Sequence, residues 1–391
     1  MSSSVRAERI RDFLRRNWLD AWISWRPDEL VMMAGYLPFW GASLFVYFAE
    51  SEPVLFVPAL EPKDHIPPTL RVQEYPWGSL DCGDPFSILF QNISGELKKA
   101  GAKAAAVGAS RNASRTSLPI QAAEQIPMPD AFPHQLSNVL SPADAKVEAD
   151  FLTLYLQKTP EEIQAIRLAN QVAAIGLKRF EDYLTPGISE AELAAEVESA
   201  IYKEIGRDGI FHSRGWAMVQ SGPNTADSGR FNRSTARRLE DGDLVLIELA
   251  TCVNGYWSDL TRTAAINGPK PELQRVFAVV REAQEAAIAA VRPGAIAGDI
   301  DTIARRKIAN AGFSAYFTHG TGHHVGFRYH DPGFGIVPGA HEKLEPGMVI
   351  TIEPGVYARE LGGGARMEDN VLVTETGHEV LSAAAPKGAR A

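Results

Sequence analysis

The sequence predicts an α+β chain: a smaller α/β domain over residues 1–155, then a larger domain over residues 156–391 built on antiparallel strands. Three observations predict this. The chain has 391 residues, more than one hydrophobic core normally serves. Its first part alternates helical and strand patterns. Its second part groups long helical runs beside strand pairs that read as hairpins.

In order along the chain, residues 5–16 are charged and amphipathic and predict a helix, and DAWISW, SLFVYFA and PVLFVPA read as short strands. A helix follows at 87–101, then a strand in AKAAAVGAS. Thr159, Pro160 and Glu162 form a helix start, with the cap, the first-turn proline and the acid three residues after the cap in place, so a new domain begins just before them. Helices are predicted at 160–184 and 189–206, and VLIELATCVNGYWSDLTRTAAI reads as two strands joined by VNG. Helices at 272–292 and 298–312 precede two further strand runs, GMVITIEPGVY and ARMEDNVLVT.

Composition narrows the function. Hydrophobic residues make up 45% and charged residues 22%, ordinary globular values that argue against disorder. A net charge of −9 gives no electrostatic reason to bind nucleic acid or an anionic membrane, and neither is expected as a partner. Cys82 and Cys252 lie far apart and outside any metal or redox spacing, so a disulfide framework is not expected. With no apolar run long enough to span a bilayer and no apolar leader segment, the reading expects a cytoplasmic protein.

The chemistry concentrates in HGTGHHVGFRYHDPG, where His319, His323, His324 and His330 fall within twelve positions. A solvated histidine is the ordinary reading of any one of them. Four together, spaced by glycines, point to a site. Acids answer them: Glu248 and Asp259 flank the VNG turn, and Glu353 and Glu368 lie in the last strand runs. If these four strands share one sheet, the four carboxylates converge on the His323 loop. Such crowding is costly unless divalent cations lie between them, and an oxygen-rich set with one imidazole suits Mn2+, Fe2+, Co2+ or Zn2+.

The ordered motifs SGPNT (221–225), DGDLVLIE (241–248), GYWSDLTRT (255–263), HGTGHHVG (319–326), ITIEPGVY (350–357) and RMEDNVLVT (366–374) resemble those of the pita-bread M24 metallopeptidases, the Xaa-Pro aminopeptidases and prolidases among them. The resemblance covers most of residues 155–385, and the first domain is similar to the one preceding the catalytic domain in aminopeptidase P, prolidase and creatinase. It implies a pita-bread catalytic domain and a homodimer. It implies two divalent metal ions, Mn2+ foremost, held by Glu248, Asp259, His323, Glu353 and Glu368. It further implies that Glu353 shuttles a proton, that His319 and His330 bind substrate or assist proton transfer, and that Arg366 orients a carboxylate. The implied activity is hydrolysis of Xaa-Pro bonds in small peptides through a metal-activated water.

Two departures stand out. Glu248 occupies a position where the family pattern has aspartate, and Phe231, seventeen residues before it, stands where a histidine near the substrate is expected. Phe231 would give the substrate pocket an apolar face. Such changes also suit relatives acting on small non-peptide substrates, as in creatinase, ectoine hydrolase or dimethylsulfoniopropionate lyase, and some pita-bread proteins are binding modules. Arg328 has two readings, a surface residue or a contact to an anionic substrate. Cys252 reads as a buried strand cysteine and His324 as a loop residue. Trp25, Tyr36, Phe39 and Trp40 form an aromatic group, either core or entrance lining.

Overall fold

The structure is a computed structural model that describes residues 4–39, 42–77, 84–109, 140–141, 144–228 and 233–387. Trp40, Cys82 and Phe231 therefore lie outside the described residues. The described residues form two compact units that divide between Tyr155 and Leu156.

The first unit begins with α1 (Ser4–Arg16), which buries Ile10, Phe13 and Leu14 on one face as its periodicity requires. Strands β1 (Ala21–Ser24), β2 (Leu44–Phe48), β3 (Val54–Pro58) and β4 (Arg71–Tyr75) are joined in the sheet by β5 (Val107–Ala109), in the order β4-β3-β2-β1-β5. The β1–β5 and β3–β4 pairs are parallel and the others antiparallel. α2 (Pro27–Ala34) was not expected from the sequence; Pro27 starts it and Gly35, at φ 64°, ends it in the left-handed region that glycine favours. α3 (Pro85–Lys99) is capped by Asp84, whose carboxylate accepts from the Phe86 and Ser87 amides. AKAAAVGAS is a strand only from Val107, because Ala104–Ala106 form a 3-10 turn. α4 (Ala145–Leu156) ends the unit.

The second unit opens with α5 (Pro160–Tyr183), held by the reciprocal Thr159–Glu162 capping box, and α6 (Glu190–Tyr202), held by a second box between Ser189 and Glu192. β6 (Ser213–Ser221), β7 (Leu244–Val253) and β8 (Tyr256–Ala265) form an antiparallel sheet. Asn254 and Gly255 turn β7 into β8 with φ of 52° and 90°, the backbone a two-residue hairpin loop requires. Val245, Ile247 and Leu249 pack into one apolar cluster with Val172, Leu177 and Val197 of α5 and α6. Strand periodicity then turns Glu248 and Ala250 to the other face.

After α7 (Pro271–Ala290) and α8 (Ala297–Asn310) come β9 (Val349–Ile352), β10 (Gly355–Ala358), β11 (Gly363–Arg366), β12 (Asp369–Val373) and β13 (His378–Val380). Here the single sheet expected for the four acids is corrected. β9, β12 and β13 make one sheet, β10 and β11 another, and both are separate from β6-β7-β8. Glu353 and Glu368 fall in the breaks rather than inside strands. Pro354 has no amide to give a ladder. The Glu353 amide instead donates to the Thr321 carbonyl at 2.7 Å, and the Glu368 amide to the Thr261 carbonyl of β8 at 3.1 Å. Among the described residues, no helix is long and apolar enough to cross a membrane.

Candidate metal and catalytic centre

Register places the first two acids. Glu248 pairs with Thr261 and Ala250 with Asp259, so Glu248 and Asp259 are diagonal neighbours on one face of the hairpin. Asp259 is fully buried and Glu248 nearly so. The breaks after β9 and β11 bring Glu353 and Glu368 to the same place.

His323 arrives through a close backbone approach. A Cβ on Gly322 would sit 1.9 Å from the Thr351 carbonyl oxygen, so only glycine lets the loop lie against β9. The His323 amide then donates to Thr351 Oγ1 at 3.0 Å, and the Thr351 amide to the His323 carbonyl at 2.8 Å. His323 Nδ1 lies 2.9 Å from the His324 carbonyl. That carbonyl can only accept, so the proton is assigned to Nδ1 and Nε2 keeps its lone pair. Nε2 faces Asp259 Oδ2 at 3.3 Å and Glu353 Oε1 at 3.5 Å.

Three overlapping groups result, Glu248–Asp259–Glu368, His323–Glu353–Glu368 and Asp259–His323–His330, each with ligand atoms within 4.8 Å of one another. The electrostatics fit cations. Burial, then Asp259, Glu353 and Glu248, push the Glu368 carboxyl well above its ordinary range, and its Oε1 has no hydrogen-bond partner among the described residues. A divalent ion would both neutralise the repulsion and fill that lone pair. Glu248 behaves differently. Burial raises it, but Arg366, Thr261 and Tyr329 together hold it below the usual carboxylate range.

Around the acids runs a donor network. Arg366 Nη1 donates to Tyr357 Oη at 2.8 Å, and Tyr357 Oη is 2.8 Å from His319 Nε2. His319 Nδ1 is 2.7 Å from the Gly320 carbonyl, so Nδ1 carries the proton and the tyrosine hydroxyl donates to Nε2. Burial lowers the His319 pKa, keeping the ring neutral. His330 Nε2 lies 3.8 Å from Asp259 Oδ2, with its ring 4.2 Å from that of His323.

Arg328 is buried, which corrects the surface reading; its amide donates to Asp331 at 2.8 Å. His324 is likewise buried, edge-on to Phe334, and Cys252 is the buried strand cysteine expected. Phe231 lies outside the described residues. Sequence reasoning missed Tyr329, whose hydroxyl donates to Glu248 Oε1, and Lys158, whose ammonium pairs with Asp331. Tyr329 sits inside the histidine motif, but its spacing does not reveal where its hydroxyl ends. Lys158 carried no signal, 173 residues from its partner.

Carboxylates and imidazoles gathered from the β7–β8 hairpin, the His323 loop and two strand breaks form a cluster that could hold metal ions. Residues 164–375 match the sequence model of Metallopeptidase family M24, and the chain belongs to that family. It is 36% identical over 238 residues to the Xaa-Pro dipeptidase of Pyrococcus furiosus, a match covering 61% of this chain and 66% of that one, just under two thirds. It is 34% identical over 248 residues to the uncharacterized peptidase YqhT of Bacillus subtilis, covering 63% of this chain and 68% of the relative. The prolidase structure from Pyrococcus horikoshii superposes with a TM-score of 0.78 at 25% identity over 97% of this chain and 98% of that one. The fold is the α+β pita-bread fold with a preceding N-terminal domain.

Proposed function

We propose that the protein hydrolyses the peptide bond between a residue and a following proline, in a dipeptide or at the start of a longer peptide. The observation that carries this reading is the grouping of Asp259, His323, Glu353, Glu368 and Glu248, with His330 beside them. Relatives described as Xaa-Pro dipeptidase and prolidase support the substrate class.

Glu248, Asp259, His323, Glu353 and Glu368 would hold two divalent cations, Mn2+ foremost for an oxygen-rich set with one imidazole. When bound, the ions supply Lewis acidity and a water that ionises near neutral pH. Glu353, partly exposed beside His323, takes the water's proton on its carboxylate and delivers it to the departing proline nitrogen. His330 donates from its ring to the scissile carbonyl oxygen as charge develops there. Neutral His319, locked by Gly320 and Tyr357, binds the substrate beside it, while Arg366 fixes Glu248. By family resemblance the proposal extends to a cytoplasmic homodimer, which sedimentation and fractionation test.

Mn2+-loaded protein should cleave Xaa-Pro dipeptides or longer Xaa-Pro peptides and lose that activity on chelation. Turnover of small non-peptide amides with no peptide cleavage would overturn the proposal.

A further inference from the structure

Asp259 lies on β8 and Glu368 just ahead of β12, strands of different sheets, so no single ladder holds these two carboxylates to one another. Asn370 spans the gap. Its Nδ2 donates to the Asp259 carbonyl at 2.7 Å, and its Oδ1 accepts the Asp259 amide at 3.2 Å. One side-chain amide thus takes the place of a peptide unit between β8 and β12. The Glu368 amide makes the neighbouring bond, to the Thr261 carbonyl at 3.1 Å.

The Asn370 backbone reaches a third part of the site. It stands opposite Thr351 in the β9–β12 pairing, and Thr351 Oγ1 accepts the His323 amide. The segments carrying Asp259, Glu368 and His323 therefore meet at one fully buried residue. A carboxamide of this length sets a donor and an acceptor side by side, which neither an ionised carboxylate nor an aliphatic side chain does. The chain after β13 fixes Asn370 in turn. Ser382 Oγ accepts the Asn370 amide at 3.2 Å and donates to Asp369 Oδ1 at 2.6 Å, and the Leu381 amide donates to the Asn370 carbonyl at 2.9 Å.

We propose that Asn370 is a positioning residue of the cation site: its side-chain amide holds the Asp259 peptide, and with it the Asp259 carboxylate, in place against Glu368 and His323, while Ser382 holds Asn370. The proposal rests on the reading of this cluster as a cation site. Ligand distances at such sites tolerate only about 0.2 Å, so a small rotation of the Asp259 peptide is enough to weaken the grip on an ion.

The test is Mn2+ titrated into the chelator-treated full-length protein, followed by calorimetry, beside amide hydrogen exchange of the same protein without metal. Asn370→Leu should weaken Mn2+ binding about 10- to 100-fold, the scale on which partners of metal ligands act, with an unchanged circular dichroism spectrum. Without metal, its Asp259 amide should exchange faster while the amides of β6 keep their protection, a pattern that general loosening of the fold does not give. Ser382→Ala should move both readings the same way by less. A folded Asn370→Leu variant that binds Mn2+ as tightly as the unaltered protein would overturn the proposal, as would exchange that quickens alike in every strand. If Asn370→Leu does not fold, Ser382→Ala decides by the same two readings, and unaltered affinity and exchange there would overturn the proposal. Absence of any Mn2+ binding by the unaltered protein would overturn the cation reading itself, an outcome kept distinct because the exchange measurement needs no metal.

Discussion

Lys158 Nζ lies 2.8 Å from Asp331 Oδ2, and neither side chain reaches solvent. Asp331 directly follows His330 and also accepts the amides of Phe327 and Arg328 at 3.1 and 2.8 Å, so this one carboxylate closes the loop that presents the imidazole. Burial pushes its carboxyl up even against Lys158. Removing the ammonium would strand a buried charge. Lys158→Met should cost about 3–5 kcal/mol of stability and lower turnover, measured by denaturant unfolding and by kcat. An unchanged unfolding midpoint would show that the pair does not hold the loop.

Gly322→Ala tests the approach that places His323. The added methyl would meet the Thr351 carbonyl at 1.9 Å, and neither backbone segment can yield without shifting His323 or Glu353. Overpacking of this kind costs about 1–3 kcal/mol. A variant with wild-type melting temperature and wild-type metal affinity would contradict the packing argument.

Tyr357→Phe removes the hydroxyl shared by Arg366 and His319. The loss of a hydrogen bond of about 1.4 kcal/mol corresponds to roughly tenfold in rate. kcat/KM on an Xaa-Pro peptide should fall by about that factor while metal content stays constant. Loss of metal along with rate would mean that Tyr357 supports the acids rather than His319.

Acid stability should depend on Glu96 in the first unit. Burial raises its carboxyl, but Lys99, Arg71 and Gln73 outweigh it and bring the pKa down from 4.5 to about 2. A folded-state pKa below the unfolded value stabilises above about 4.5, and the contribution is lost as pH falls from there toward about 2. Glu96→Gln should flatten the pH dependence of unfolding in that window and leave it unchanged near neutrality. An unaltered acid limb would remove Glu96 from the account.

Much of this was legible because it is local. The Thr159 capping box, the Asn254–Gly255 hairpin and the periodic faces of α1 and α5 are written within a few residues of one another. The site acids were legible as residues but not as geometry. Glu353 and Glu368 read as strand text because Ile350, Ile352, Val371 and Val373 surround them, while the breaks come from Pro354 and from long-range bonds to Thr321 and Thr261. β6 was not singled out as a strand, since a segment beginning SRGW gains its identity from pairing with β7. Tyr329 and Lys158 were missed for the same reason, each taking its role from a partner 81 or 173 residues distant.

The central claim is that Asp259, His323, Glu353 and Glu368 bind metal and that this metal runs peptide hydrolysis. Elemental analysis of the protein after Mn2+ loading and desalting, beside His323→Ala and Asp259→Asn, tests it most directly. The account predicts stoichiometric Mn2+ and Xaa-Pro cleavage in the unaltered protein, with both lost in each variant while the fold persists by circular dichroism. Unaltered protein without stoichiometric metal, or a His323→Ala variant that keeps the full metal content, would contradict it.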